Sequence, residues 1–466
     1  MVSVGRHENI KLLSYSQVES VSGYVGNFYV RVRKKARYVD ETKCTGCGTC
    51  VDKCPWKNIP SEFDLGLGKR PAIYFSFGQA VPRVPVIDTK NCVYFLKGKC
   101  KACEKFCARG AIDFQQQDEL LDLEVGTIIL ATGFQDFSPA RAPQYGYGAL
   151  DNVLTSMEFE RLVNSGGPTL GQVRLKDGRK PKSIAVLHCV GSRNAEHHEY
   201  CSRVCCMYSL KLAHLIHDSV DAQVFEVYRD MRTFGKEYES FYERVIREGV
   251  HLIRSSGDVQ VSRRPGGNGQ LKVTTTDVFT GQPSEMLVDM VVLSTGLEPQ
   301  RDQAEVGRIF GISLSPDGFF MEKHPKLAPI ETATDGIFLA GTCQGPKDIP
   351  DSVAQGGAAA AAALSLMDAG HVLLEPFTTF VNQTLCGGCR TCEGLCPYSA
   401  IEMVQQDGRT VAYINEVLCK GCGACAAACP AGAATQRGFT NDQILAEIEG
   451  MLGLQSVGAS LEEALL

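Results

Sequence analysis

Four short apolar runs punctuate the chain. Residues 126–134, GTIILATGF, read as a buried strand that ends in a small-residue turn, and residues 289–299, DMVVLSTGLEP, repeat the design. Residues 336–345, GIFLAGTCQG, form a third such strand, and an alanine-rich helix is expected from about Ser352. In 183–194, SIAVLHCVGSRN, the IAVL segment reads as the first strand of a nucleotide-binding unit. Residues 1–38 alternate apolar and polar positions and predict strands. The segment 141–177, broken by glycine and proline, reads as a connection. Near the C-terminus, NDQILAEIEGMLG predicts an amphipathic helix that either docks on a partner or packs on its own chain.

Composition leaves room for ordinary cores: 466 residues, 44% hydrophobic and 21% charged. A net charge of -6 carries no basic footprint, which argues against a nucleic-acid partner. No uninterrupted apolar run reaches the roughly eighteen residues of a membrane span. The opening MVSVGRHENI lacks the basic and apolar regions of a signal peptide. The anomaly is 21 cysteines, most of them in groups of four. A disulfide framework belongs to short secreted chains, so a cytoplasmic protein whose thiols stay reduced or hold metal is expected.

The first group is Cys44, Cys47, Cys50 and Cys54, spaced x2, x2, x3 and followed by Pro55. Cys386, Cys389, Cys392 and Cys396 repeat it before Pro397, and Cys419, Cys422, Cys425 and Cys429 before Pro430. Three cysteines two residues apart wrap one face of a [4Fe–4S] cubane, while the fourth turns to the neighbouring cluster. Crossed ligation follows. Cys44, Cys47, Cys50 and Cys107 are expected to hold one cluster, and Cys54, Cys92, Cys100 and Cys103 a second. Cys386, Cys389, Cys392 and Cys429 hold a third, and Cys396, Cys419, Cys422 and Cys425 a fourth. Seven residues rather than two separate Cys92 from Cys100, a departure from the pattern. Zinc on four thiolates is the competing reading, but zinc favours pairs of CxxC over triplets with a trailing CP.

The strand at 183–187 should lead into G-x-G-x-x-G, yet the turn reads His188, Cys189, Val190, Gly191, Ser192, Arg193. With one glycine left and bulky groups where a phosphate would approach, nicotinamide binding is expected to be lost. Cys201, Cys205 and Cys206 follow in YCSRVCCMYSLKLAHLI, read as one helix with Cys201 and Cys205 a turn apart. With Cys189 they would gather four thiolates for a fifth [4Fe–4S] cluster, against buried structural cysteines or zinc as alternatives. Arg203 either neutralises cluster charge or faces solvent. Cys343 is left over, as a buried small side chain or a neighbour of a flavin. The fold expected is α/β, a two-dinucleotide-domain flavoprotein of thioredoxin-reductase-like type, with two α+β 2[4Fe–4S] ferredoxin-like modules.

Three features carry a family resemblance: the Cys189…Cys201-x3-Cys205-Cys206 arrangement, the module inserted before GTIILATGF, and GTCQGPKDIPDSVAQGGAAAAAAL (341–364). On them the chain resembles the A subunit of heterodisulfide reductase, an iron–sulfur flavoprotein family. The resemblance spans nearly the whole chain. It implies FAD contacts at Ala131, Thr132 and Gly133, and at Gly341, Thr342, Gln344, Lys347, Asp348, Ile349 and Gln355. Lys347 would donate to the isoalloxazine ring and tune its potentials. The implied activity is electron bifurcation: FAD takes an electron pair from a hydrogenase or formate dehydrogenase partner. One electron then goes towards ferredoxin and one towards a disulfide reduced on partner subunits B and C. A homodimer is compatible with the resemblance.

Family members also hold an N-terminal cluster domain and the βαβ unit with the FAD phosphate loop. Either the gene is split or the start has been read too late, and residues 1–38 would be the remnant of that FAD domain. The remaining expected divisions are the ferredoxin module at 39–115, a flavin-domain strand at 116–140, and the connection at 141–177. A degenerate Rossmann-like domain follows at 178–299, a flavin-domain return at 300–375, the second module at 376–440 and a helix at 441–466. The rival function is a flavin-free iron–sulfur relay subunit. A pyridine-nucleotide oxidoreductase is disfavoured by the His188 turn.

Overall fold

The computed structural model describes residues 2–266, 269–374 and 376–452. The expected strands near the start form a hairpin, β1 (Ser16–Tyr24) and β2 (Asn27–Lys34). In β2, Phe28, Val30 and Val32 are buried while Tyr29, Arg31 and Arg33 face out, the alternation of a sheet with one wet face. β3 (Glu119–Val125) pairs antiparallel with β2, from Phe28 against Val125 to Lys34 against Glu119.

The first cysteine module is therefore inserted between two neighbouring strands. Its neck is stitched by a bridge between Val39 and Ile112 and by two backbone amides, Ala36 N–H to Asp118 and Tyr38 N–H to Gln116. Inside it the elements are only short helical turns and two-residue strands. Cys50 and Cys54 lie in its core beside Ile59, Ile73, Ile112 and Phe114.

β4 (Ile128–Leu130) carries the ATG turn at its end. The stretch 141–177 is more than a connection. It contains β5 (Val153–Thr155) and α1 (Ser156–Val163). Thr155 Oγ1 accepts from Glu158 N–H, and the Glu158 carboxylate accepts from Thr155 N–H, a reciprocal cap that starts the helix. β5 is the edge strand of a parallel sheet completed by β6 (Ser183–Val190), β7 (Gln223–Tyr228), β8 (His251–Arg254) and β9 (Met290–Thr295). The order is β5-β9-β6-β7-β8. β6 and β9 are covered on both faces, which explains their unbroken apolar runs. Helix α2 (Cys205–Leu215) follows β6, and a three-stranded antiparallel sheet (Gln260–Arg263, Leu271–Thr276, Pro283–Val288) precedes β9.

β10 (Ile337–Leu339) pairs parallel with β4. The alanine-rich helix α3 (Ile349–Ala369) starts three residues before Ser352, because Asp348 caps it by accepting from Asp351 N–H and Pro350 suits the first turn. The second cysteine module follows, built on the pairs Thr379–Val381 with Ala434–Gln436 and Ile401–Gln406 with Arg409–Ile414. The helix Asn441–Met451 buries none of its residues, so the expected packing on its own chain is absent there, and the rest of the 441–466 segment lies outside the described residues. Among the described residues no helix is long and apolar enough to cross a membrane.

Candidate functional site

Tight loops expose backbone N–H groups to sulfur throughout the modules. Gly46 N–H points to Cys44 Sγ at 3.4 Å, Ala111 N–H to Cys107 Sγ at 3.3 Å and Ala400 N–H to Cys396 Sγ at 3.4 Å. Ala412 N–H and Thr379 N–H reach Cys386 and Cys419, each at 3.4 Å. Gly46 and Gly388 sit at φ 69° and 68°, where a Cβ would collide with Arg83 O and Thr410 O.

The buried thiols of each module have cysteines of both of its loops as neighbours. Burial pushes Cys50 up to about 11, and Cys44, Cys107 and Cys47 surround it. Burial pushes Cys103 up to about 12, with Cys92, Cys50 and Cys54 beside it. Cys425 is raised by burial next to Cys419 and Cys396, and Cys429 lies beside Cys389. Cys107, Cys54, Cys396 and Cys429 thus each reach across to the other loop of their module. The long spacer before Cys100 is a single helical turn, Val93–Lys97, which starts immediately after Cys92 and leaves that residue half-buried against the core. Cys100 and Cys422 are exposed.

At the end of β6 the structure gathers Cys189, Cys201, Cys205 and Cys206. Cys205 is raised far above an ordinary thiol by burial, with Cys189, Cys206 and Cys201 as neighbours. Cys201 is not on the helix, contrary to the reading from spacing. Arg203 takes a left-handed φ of 61°, the chain turns, and α2 begins only at Cys205. That turn aims Arg203 N–H at Cys201 Sγ, 3.3 Å away. All 21 cysteines are free thiols. Thiols pushed up by burial make poor anions alone, so four gathered thiolates require a positive partner. Four neighbouring cysteines are the number that a [4Fe–4S] cubane takes.

The turn that should cradle a dinucleotide is filled. A Cβ on Gly191 would collide with the Phe137 ring, which is itself buried. The surviving glycine makes room for an aromatic ring in place of a phosphate.

The residues expected at a flavin fall into two groups, one at the end of β4 and one in the loop after β10. Ala131 and Thr132 leave the carboxyl end of β4 and border a largely apolar cavity of about 510 Å³, and Ala340 N–H bonds Leu130 O across to β10. Gln355 accepts from Gly341 N–H and donates to Gln344, whose oxygen also accepts from Lys347 Nζ at 2.9 Å. Lys347 Nζ donates further to Gly341 O and Gly345 O. All three of its hydrogens are engaged, so the free donor expected of Lys347 is not there in this conformation; burial lowers its pKa. Thr342 lies in the 3₁₀ turn Gly341–Cys343, Gly133 is in a left-handed turn at φ 80°, and Ile349 is exposed. Cys343 is fully buried, its Sγ 3.3 Å from Leu130 O. Sequence reasoning missed the clasp between this loop and the fifth cysteine group. Arg203 pairs with Asp351 at 2.8 Å, and Tyr238 OH donates to Asp348 at 3.1 Å.

Residues 385–433 match the 4Fe-4S dicluster domain and residues 37–59 the 4Fe-4S binding domain, so these modules are iron–sulfur domains. Among solved structures, thioredoxin reductase of Lactococcus lactis matches at 16% identity with a TM-score of 0.34, over 64% of this chain and 86% of that one. The iron–sulfur A subunit of the CoB–CoM heterodisulfide reductase of Methanocaldococcus jannaschii is 47% identical over 97% of this chain and 68% of its own length. A second such protein, from Methanopyrus kandleri, is 51% identical over 97% of this chain and 68% of its own length. The A subunit of the H2/formate:CoB–CoM heterodisulfide,ferredoxin reductase of Methanococcus maripaludis is 46% identical, also over 97% of this chain and 68% of its own length. The chain belongs to the family of heterodisulfide reductase iron–sulfur A subunits, which are parts of an oxidoreductase.

Proposed function

We propose that this chain distributes electrons within a heterodisulfide-reductase-type complex, with five [4Fe–4S] clusters and FAD. The observation that carries the reading is the ion pair Arg203–Asp351, which ties the Cys201–Cys206 turn to the start of the helix that follows the Gly341–Asp348 loop, while Tyr238, at the start of the helix Tyr238–Arg247, bonds Asp348 beside it. A cluster on Cys189, Cys201, Cys205 and Cys206 would then lie within one layer of side chains of a flavin on that loop.

The four module clusters take the crossed ligands, and each buried thiol has the neighbours which that assignment needs. Bound FAD would accept an electron pair and release electrons singly, chemistry that side chains do not supply. Ala131, Thr132, Gly133, Gly341, Thr342, Gln344, Asp348, Ile349 and Gln355 would border it. Lys347 would hold the loop through its three hydrogen bonds and contribute its charge. It is thus assigned no free N–H towards the ring.

In line with the H2/formate of the Methanococcus relative's name, the pair of electrons comes from a hydrogenase or formate dehydrogenase partner. One electron leaves towards ferredoxin and one towards a disulfide on partner subunits B and C. Two such cycles supply the two electrons that a disulfide takes up. The two modules are the exits and entrances.

The test is acid-released flavin and iron per chain on protein purified without oxygen. About one FAD and about 20 iron atoms support the reading. Full iron with no flavin would replace it with the flavin-free relay. Bleaching of the protein by NADH or NADPH would reopen nicotinamide chemistry at the β6 turn.

A further inference from the structure

Two of the cysteine loops carry the same side-chain contact. In the first module Cys47 Sγ and Thr49 Oγ1 are 3.4 Å apart, and in the second Cys389 Sγ and Thr391 Oγ1 are again 3.4 Å apart. No other hydrogen bond engages either hydroxyl among the described residues. The backbone between the partners explains the match. Gly48 and Arg390 take left-handed φ angles of 85° and 61°, and a helical turn starts on the next residue, Thr49–Asp52 or Thr391–Leu395. The left-handed residue folds the threonine back over the sulfur two positions before it. Arg390 holds that conformation although a side chain disfavours it.

A third loop shows that the turn does not need the hydroxyl. Gly423 takes the same left-handed conformation, at φ 76°, and the helical turn Ala424–Ala427 follows it. The residue two positions after Cys422, in the threonine's place, is Ala424, and it is exposed. The remaining loop carries Ala102 two positions after Cys100. Each module thus has threonine on one of its two loops and alanine on the other. Since the backbone accepts either residue, what sets the threonine apart is its hydroxyl on a ligand sulfur.

We propose that Thr49 and Thr391 are positioning residues that donate their hydroxyl hydrogens to the Cys47 and Cys389 thiolates, and thereby raise the reduction potentials of the cluster on Cys44, Cys47, Cys50 and Cys107 and of the cluster on Cys386, Cys389, Cys392 and Cys429. The inference rests on the proposed crossed ligation. A sulfur bound to iron has no hydrogen left to give, so in each contact the hydroxyl is the donor. Reduction adds one electron to a cluster and makes its sulfurs more negative. A hydrogen bond to charged sulfur is therefore stronger in the reduced state, and such bonds are among the levers that set these potentials. With alanine on the other loop, the hydroxyl acts on one cluster of each pair and biases an arriving electron towards it.

The test uses the full chain, purified without oxygen and reduced stepwise with dithionite while electron paramagnetic resonance follows the clusters. Thr49→Val keeps the size of the side chain and removes the hydroxyl. It should leave iron content unchanged and lower the reduction equilibrium of one cluster threefold or more, about 28 mV for one electron. Thr391→Val should do the same to a different cluster, and Thr49→Ser should keep the parent value. Ala424→Thr should act in the opposite sense and raise one cluster threefold or more. Potentials that stay unchanged in both valine variants would overturn the role of the hydroxyls, and so would a serine variant that falls as far as the valine one. If the valine variants do not fold, Ala424→Thr decides: a raised potential supports the inference and an unchanged one overturns it. Cys47→Ser tests the ligation separately. It should alter the same cluster that Thr49→Val shifts. If it alters another cluster, or leaves iron content and every cluster signal unchanged, the crossed assignment fails and the inference with it.

Discussion

At the scale of single residues, ligand chemistry is legible because it is local. The x2, x2, x3 spacings place sulfurs on one loop whatever the rest of the chain does, and Cys50, Cys103 and Cys425 each have further cysteines as neighbours. Burial of charge is not local. Nothing in the run GFQDFS marks Asp136, yet its carboxyl is pushed up to about 6 by burial alone. In the unfolded chain it titrates near 3.8, so the folded state holds the proton more tightly. The neutral form is therefore tolerated below about pH 4. Between pH 4 and 6 stability is lost, and above about pH 6 the penalty is constant, on the order of 2–3 kcal/mol. Asp136→Asn is expected to be more stable than the parent by that amount at pH 7.5, and equal to it at pH 4. Anaerobic thermal melts across that range measure it, and a difference that does not change with pH would refute it. The hydrogen bonds of Lys347 are illegible for a related reason: the three carbonyl acceptors that take its hydrogens are set by the loop's path, which residue type does not reveal.

At the scale of elements, buried strands are readable from their apolar runs, and β4, β6, β9 and β10 fall where those runs predict. Two elements differ because signals compete. Glycines and prolines in 141–177 outweigh a short strand and a T-x-x-E cap that are present in NVLTSMEFERLV. The left-handed Arg203 breaks a helix that the cysteine spacing alone would extend back to Cys201. The cap is testable. Glu158 accepts from Thr155 N–H and Oγ1 and also from Tyr147 OH at 3.0 Å, so losing the Thr155 hydroxyl frees a buried carboxylate from one partner and leaves the first turn of α1 uncapped. Thr155→Ala is expected to destabilise the sheet domain by about 1–2 kcal/mol. Faster amide hydrogen exchange along Ser156–Val163, with cluster content unchanged, is the measurement. Exchange as slow as in the parent would mean that packing of Phe159 and Leu162 alone holds the helix.

At the scale of the molecule, the chain combines two kinds of core that answer differently to metal loss. The parallel sheet buries Ile184, Val186, Leu187, Val291, Val292 and Leu293 completely. The apolar clusters on its two faces contain no ligand sulfur and are large enough to stand alone. The modules are not. Cys50 and Cys54 in the first, and Cys419 and Cys425 in the second, occupy core positions, the latter beside only Ala400, Ile401, Ala412 and Ile414 as other fully buried members of their cluster. With the clusters removed those positions hold bare thiols, and stretches of this size with thiols at the centre of the core lack the means to offset chain entropy. The first module is also an insertion whose neck is closed by the β2–β3 pairing, so it can unfold without unzipping that sheet. Oxidative removal of iron with a chelator is therefore expected to open 39–115 and 376–440 to trypsin while a fragment spanning the parallel sheet survives. Mass mapping of the fragments reads the result. Modules that stay resistant after complete iron loss would show that their apolar residues suffice, and simultaneous loss of the sheet would show that all the cores fold as one unit.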